Sequence, residues 1–182
     1  MEILKTQRLL SREQLAKKLF EVAHLTGNFK LRSGLTSTEY FDKYRFEARP
    51  EVLIQIAEHM KPLIPQGTEV LAGLELGGVP IATALSLVTG IPTAFIRKEA
   101  KEYGTCQFAE GAEIKNKRIC IIEDVITTGG QVILSSEDLK NSGAHILKVL
   151  CVIHRGSGHE PKLEKHGLSM QALFTQAELK GN

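Results

Sequence analysis

The sequence has no apolar run approaching the roughly 18 residues of a membrane span, and its first residues lack the apolar core of a signal peptide, so a soluble, cytoplasmic protein is expected. Excess charge of one sign is also missing. The 23 Lys and Arg against 21 Asp and Glu leave a formal charge of +2, too balanced for a polybasic surface that would demand nucleic acid or an anionic membrane. Cysteine is scarce: Cys106, Cys120 and Cys151 form no CxxC pair, which argues for reduced thiols rather than a disulfide framework. Cys120 and Cys151 lie in apolar runs and are expected to be buried, whereas Cys106 sits in a polar loop without a His/Asn constellation and is given no catalytic role. The six histidines make no HExxH, and His154, His159 and His166 lack cysteine partners at zinc spacings, so no protein-held zinc is expected. Neither GxxxxGK[ST] nor a GxGxxG opening a helix is found, which removes support for P-loop and dinucleotide folds.

What is there suits one compact α/β domain over residues 1–182, with 42% hydrophobic content for a substantial core. Apolar runs near residues 70, 93, 119 and 149 alternate with helical segments, the pattern of a parallel sheet wrapped by helices. Ligands of such sheets gather at the C-terminal ends of the strands beside a topological switch.

The chain is organised around Arg118 to Gln131, RICIIEDVITTGGQ. Ile119 to Ile122 has no polar alternation, as in a central strand covered on both faces. Glu123 and Asp124 follow where that strand is expected to emerge. Next come Val125 and Ile126, then Thr127, Thr128, Gly129 and Gly130, and a helix over Gln131 to Ser142 stopped by Gly143. Glycines, hydroxyls and a helix N-terminus suit phosphate. Two carboxylates repel phosphate but accept from sugar hydroxyls. The stretch therefore reads as a cradle for ribose plus phosphate; on spacing alone, a solvated turn and an ordinary strand-to-helix connection remain the alternative.

Earlier in the chain, Ser11 and Gln14 form a capping box for an amphipathic helix with Leu15, Leu19 and Val22 on one face and Gly27 as its stop. Phe29 to Asp42 reads as two short strands around a turn at Ser33 and Gly34. Pro50 to Met60 has helical spacing. Val70 to Gly73 begins the sheet, and a loop at Glu75, Leu76, Gly77 and Gly78 precedes a helix from about Pro80 to Val88 with Gly90 as its stop. Pro92 to Ile96 is a short strand that delivers Arg97, Lys98 and Lys101 into a mobile, mixed-charge loop. After the central stretch, Leu147 to Ile153 is another strand, with His154 and Arg155 leaving its end, and the tail is expected to supply an edge strand and a terminal turn or helix.

The ten residues IIEDVITTGG resemble the phosphoribosyl diphosphate (PRPP) signature of type I phosphoribosyltransferases, whose fold is Rossmann-like with a small N-terminal hood, here residues 1–45. Three further stretches are similar to the orotate phosphoribosyltransferases: FKLRSGLTSTEYF to their hood, GLELGG to their pyrophosphate loop and RKEAKEYG to their catalytic flap. The resemblance covers most of residues 19 to 156. It implies transfer of a 5-phosphoribosyl group from PRPP to orotate, giving orotidine 5′-monophosphate and pyrophosphate, in de novo pyrimidine biosynthesis. It implies orotate binding by Arg32, Tyr40, Phe41, Thr127 and Arg155. PRPP would be held by Glu75 to Gly78, Arg97, Lys98, Lys101, Glu123, Asp124 and Thr127 to Gln131. The catalytic roles fall to Lys101, Glu123 and Asp124, with Mg²⁺ bound through PRPP and no metal held by protein alone. A homodimer whose flap closes over the neighbour's site is also implied. Some relatives carry lysine at the position of Gly77 and histidine at that of Tyr103. Two rivals stand beside this reading: a purine phosphoribosyltransferase, and a PRPP-sensing regulator that binds nucleic acid.

Overall fold

The computed structural model describes residues 8–30, 34–98, 108–156 and 160–181. Helix α1, Arg12–Ala23, opens with the expected capping box: the Gln14 amide donates to Ser11 Oγ and the Ser11 amide donates to the Gln14 side chain. Its end differs from expectation. Ala23 is the last helical residue, and His24 already enters strand β1, His24–Lys30, which pairs antiparallel with β2, Thr36–Phe41. Cross-strand pairing of Leu25 with Tyr40 overrides the local stop signal, and Gly27 instead lies at a register shift between Thr26 and Phe29. Helix α2, Tyr44–Glu47, is a single turn that the sequence pattern did not single out. Helix α3, Pro50–Met60, matches its expected limits, with Pro50 preset for the first turn.

The six-stranded sheet contains β3 (Val70–Leu74), β4 (Thr93–Ile96), β5 (Ala109–Gly111), β6 (Arg118–Ile126), β7 (His145–His154) and β8 (Met170–Thr175), in the order β5-β4-β3-β6-β7-β8. Every neighbouring pair is parallel except β4 with β5. The four apolar runs are therefore four adjacent parallel strands. Strand β5 escaped the sequence reading because Ala-Glu-Gly carries no apolar alternation; its ladder to β4 defines it. Helices α4 (Gly78–Thr89), α5 (Gly130–Asn141), α6 (Glu160–Lys165) and α7 (Gln176–Lys180) complete the element order. Helix α4 begins two residues before the expected Pro80 and ends on Gly90, whose φ of 77° forms a left-handed cap. Helix α5 is displaced by one residue from its expected limits.

The core lies on both faces of the sheet. On one face, Leu15 and Leu19 of α1, Ile56 and Met60 of α3, and Ile81 and Leu85 of α4 cluster with Cys120, Ile122, Leu150 and Val152. On the other, Val132 and Leu139 of α5 and Leu163 of α6 cluster with Ile119, Ile121, Val149 and Cys151. Successive residues of β6 thus feed opposite clusters, which is why its run shows no polar alternation. Both described thiols, Cys120 and Cys151, are buried as expected.

Strand β3 connects through α4 to β4 on one side, and β6 through α5 to β7 on the other. The C-terminal ends of β3 and β6 therefore open at a topological switch point. No helix among the described residues is long and apolar enough to cross a membrane.

Candidate active site

Two strand-to-helix junctions flank the switch point. After β3, residues 75–77 lead into α4; after β6, residues 127–129 lead into α5. In the first, Gly77 has an ordinary right-handed backbone, φ −71° and ψ −28°, so conformation does not demand glycine there. Space does. A Cβ at Gly77 would overlap the Asp124 carboxylate and lie 2.9 Å from Glu47 Oε1, and one at Gly78 would overlap the Ile122 carbonyl oxygen. The loop is laid directly against the end of β6. The Glu75–Leu76 peptide is cis. Glu75 Oε1 accepts the Lys98 amide at 2.7 Å, and the Glu75 amide donates to Ile96 O at 2.8 Å, so this loop is tied to the segment leaving β4.

The second junction is open. Thr127, Thr128 and Gly130 are exposed. Gly129 adopts a left-handed φ of 72° at the N-cap of α5, a conformation that side chains disfavour. The first amides of α5 have no intrahelical acceptor and face this junction with the positive end of the helix dipole. Gln131 is turned along its own helix, where its Nε2 donates to Ser135 Oγ at 3.2 Å.

Asp124 lies between the junctions. Strand β6 continues to Ile126, paired with His154 of β7, so the two acids stand within the strand rather than at its exit as expected. Alternation sends them to opposite faces. Glu123 pairs in register with Cys151, and its Oε2 accepts the Asp124 amide at 3.1 Å. Asp124 is fully buried; its Oδ1 accepts the Val125 amide and its Oδ2 meets Lys43 Nζ at 2.6 Å. Lys43 immediately precedes α2, and Glu47 ends it. Glu47 is 7% exposed, and its Oε1 comes to the same point beside Gly77 as the Asp124 carboxylate.

The electrostatics follow from crowding three carboxyls around one ammonium. Burial, then the hydrogen bond to Asp124 and its charge, push Glu47 well above the usual carboxylate range. Burial and then the Asp124 charge do the same to Glu123. Burial alone would raise Asp124 as well, but hydrogen bonds from Glu47 and Lys43 overcome it and keep this carboxyl ionised. Burial disfavours the Lys43 ammonium, yet Asp124 more than offsets it and raises Lys43 above its ordinary value. The corner thus holds one ionised acceptor, Asp124, matched to one cation. Among the described residues no group of three His, Cys, Asp or Glu side chains is placed to cage a metal ion.

A cavity of about 210 Å³ opens between β2, the end of β7 and α7, with Tyr40, Phe41, Ile153, Arg155, His24 and Lys180 among its walls. Three of the residues singled out for orotate therefore share one cavity. Tyr40 is 45% exposed and stacks on Phe29 with ring centroids 5.4 Å apart, whereas Phe41 packs into the core toward Phe46. Strand alternation assigns these neighbours to different environments. Arg155 is exposed, its amide anchored on Ile126 O at 2.9 Å. Arg97 is half-buried and Lys98 exposed beyond β4. Arg32, Lys101, Tyr103 and Cys106 lie outside the described residues.

Sequence reasoning missed Lys43 and Glu47. Their four-residue spacing places both on one turn, but DKYRFE reads as an ordinary charged surface, and nothing local reveals that the turn docks on Asp124.

Comparison with known proteins supplies an independent result. The family model of the phosphoribosyl transferase domain matches residues 45–179. An orotate phosphoribosyltransferase of Nocardioides sp. is 50% identical over 165 residues, covering 91% of this chain and 92% of that protein. One from Methanocella arvoryzae is 37% identical over 155 residues, 85% of this chain and 89% of its own length. Among solved structures, Mycobacterium tuberculosis orotate phosphoribosyltransferase in complex with PRPP superposes with a TM-score of 0.80 at 26% identity, covering 93% of this chain and 98% of the other.

Proposed function

The chain belongs to the phosphoribosyltransferase family, and from that premise we propose that it joins orotate to the 5-phosphoribosyl group of PRPP, releasing pyrophosphate and orotidine 5′-monophosphate for pyrimidine synthesis. The observation that carries this reading is the Gly77 junction laid against the Asp124 carboxylate, on the strand that runs on into the Thr127 to Gln131 junction, with a cavity lined by Tyr40, Phe41 and Arg155 at the hood side. The near relative named for this activity supports the same substrate.

Each part has a physical role. Thr127 to Gln131 and the N-terminus of α5 receive the 5-phosphate, because amides, hydroxyls and the helix dipole all favour an anion there. Asp124 is ionised and acceptor-only, so it takes the ribose hydroxyls, while Glu123 fixes it from behind through the Asp124 amide. The loop Glu75 to Gly78 lies close enough to β6 to present its backbone to the diphosphate. Arg97, Lys98 and Lys101 draw off that leaving group, whose charge grows as the bond breaks. Tyr40, Phe41, Arg32, Thr127 and Arg155 hold the planar anion of orotate by stacking and a charge-assisted contact to its carboxylate. In the reaction the C1–oxygen bond of PRPP breaks with its electron pair leaving on pyrophosphate, and a ring nitrogen of orotate forms the new bond to C1 as its N–H proton passes to solvent. No covalent enzyme intermediate is needed.

Mg²⁺ fits the donor set only as a passenger of the substrate: Asp124 is already paired with Lys43, and diphosphate, ribose oxygens and water supply the hard oxygen shell it prefers. Bound with PRPP, it would supply positive charge beside the leaving group. We place the protein in the cytoplasm as one domain with its hood in residues 1–45, acting as a homodimer that shares the flap. Hybrid dimers of Lys101→Ala and Asp124→Asn chains recover activity if the flap acts across the interface, and stay inactive if it does not.

The deciding assay follows orotate absorbance with PRPP and Mg²⁺, with adenine, hypoxanthine and uracil in parallel. Consumption of orotate dependent on PRPP is expected. Turnover of a purine instead would transfer the protein to the purine enzymes, and PRPP binding without turnover of any base would make it a sensor.

A further inference from the structure

The corner where Lys43, Glu47, Gly77 and Asp124 converge carries more charge than ribose recognition requires. Lys43 Nζ lies 2.6 Å from Asp124 Oδ2, with the lysine side chain 34% exposed and the aspartate side chain 1% exposed. A buried ion pair is a poor stabilising device, since desolvation takes back most of the Coulomb gain. Glu47 Oε1, buried beside Gly77, faces the same carboxylate. An ion pair so placed is arranged for something that arrives.

The loop at Glu75 to Gly78 supplies no cation of its own. Its one ionisable side chain, Glu75, is an acid already accepting the Lys98 amide. A side chain at position 77 would displace Asp124. A diphosphate laid along this loop therefore meets the acids Glu75 and Asp124 unless a cation comes from elsewhere. Lys43 brings one: its ammonium and the bare Cα of Gly77 converge on the same carboxylate oxygen. Its flexible four-carbon stem permits the short swing that a rigid, planar group would not make.

We infer that Lys43 is a PRPP-binding residue whose ammonium is parked on Asp124 in the free protein and passes to the diphosphate when the ribose hydroxyls take its place on that carboxylate. The exchange conserves contacts. Asp124 trades one charge-assisted donor for ribose hydroxyls, and the ammonium trades a carboxylate for a phosphate oxygen. This inference rests on the reading above that the two junctions bind PRPP.

The test compares ligands that share the ribose phosphate and differ in the diphosphate. With Mg²⁺ present, calorimetric titration of Lys43→Met is expected to show PRPP binding weakened roughly 10- to 100-fold, while orotidine 5′-monophosphate, which displaces the ammonium without offering it a diphosphate, binds no more weakly than to the wild type. Lys43→Arg recovers part of the loss. Equal weakening of both ligands would overturn the inference and make Lys43 a positioning residue for Asp124, and unchanged PRPP affinity in a folded variant would overturn it outright. Melting curves report folding; should Lys43→Met fail to fold, Lys43→Gln gives the same comparison. Orotate turnover by the wild type, measured alongside, separates the two readings: wild-type PRPP binding without orotate turnover sinks the base assignment and leaves the Lys43 comparison intact, whereas a wild type that does not bind PRPP removes both.

Discussion

The two junctions at the switch point look alike on paper, each a glycine pair between a buried strand and a helix, yet they need glycine for different reasons. At Gly77 and Gly78 the backbone is right-handed and unremarkable, and what forbids a side chain is matter: the Asp124 carboxylate at one position, the Ile122 carbonyl at the other. At Gly129 the left-handed φ of 72° forbids it, and the nearest atoms belong to the Leu163 side chain. Gly130 has only Thr128 Oγ1, 3.8 Å away, near its would-be Cβ. The first junction is a packed interface between two strand ends. The second is a shaped, open mouth.

Substitutions can break this contrast. The largest effect belongs to Gly78→Ala, whose Cβ meets a backbone oxygen that cannot rotate away; a loss of about 3 kcal/mol or more in urea unfolding is expected, and a small loss would mean the loop is not pressed on β6. Gly77→Ala meets a side-chain carboxylate that can turn aside, so the damage moves from stability to function. Its unfolding midpoint falls modestly, while kcat/KM for PRPP drops on the order of 100-fold as Asp124 is displaced; retention of full activity would contradict the geometry.

Gly129→Ala costs about 1–2 kcal/mol through its backbone alone, and Gly129→Asn less, because asparagine tolerates the left-handed region. At position 77 the order reverses, with asparagine worse than alanine because it is larger. Thermal melts of the four variants read the contrast directly, and the same order at both positions would erase it. Gly130→Ala leaves the free protein as stable or about 0.5 kcal/mol more stable, so any loss it shows should be confined to PRPP affinity.

The smallest effect serves as a control away from both junctions. Glu69 pairs with Lys117 at 3.2 Å and Arg118 at 3.1 Å, and hydrogen bonds from the Arg118 amide and then its side chain lower the carboxyl from 4.5 to about 2. A depressed acid stabilises above its unfolded value and loses that contribution as pH falls through its folded one. The Tm difference between wild type and Glu69→Gln is therefore present at pH 7, shrinks below about 4.5 and is gone near 2. This solvent-screened surface cluster gives only a slight difference, and one that grows with acid would refute the pairing.

Much of the fold was legible because its signals are local. Uninterrupted apolar runs read as covered strands, Ser11 with Gln14 read as a helix start, and Pro50 and Gly90 marked ends that the structure keeps. Gly27 misled because a stop signal is only a local preference, and the ladder between β1 and β2 outweighed it. Strand β5 was invisible for the converse reason: it has no pattern of its own and exists through its partner.

For the site, the order of residues in Arg118 to Gln131 was enough to offer acids, hydroxyls and glycines as a candidate cradle, since their chemistry is carried in each side chain and their adjacency is covalent. Only the tertiary structure decided which face each acid takes, that Gly77 is bare because Asp124 stands against it, and that Lys43 and Glu47 pack on that carboxylate at all. The physical reason is the same in each case. A contact between residues far apart in the chain depends on how whole elements pack, and a charged turn such as DKYRFE is indistinguishable from solvent-facing surface until the sheet it docks against is in place.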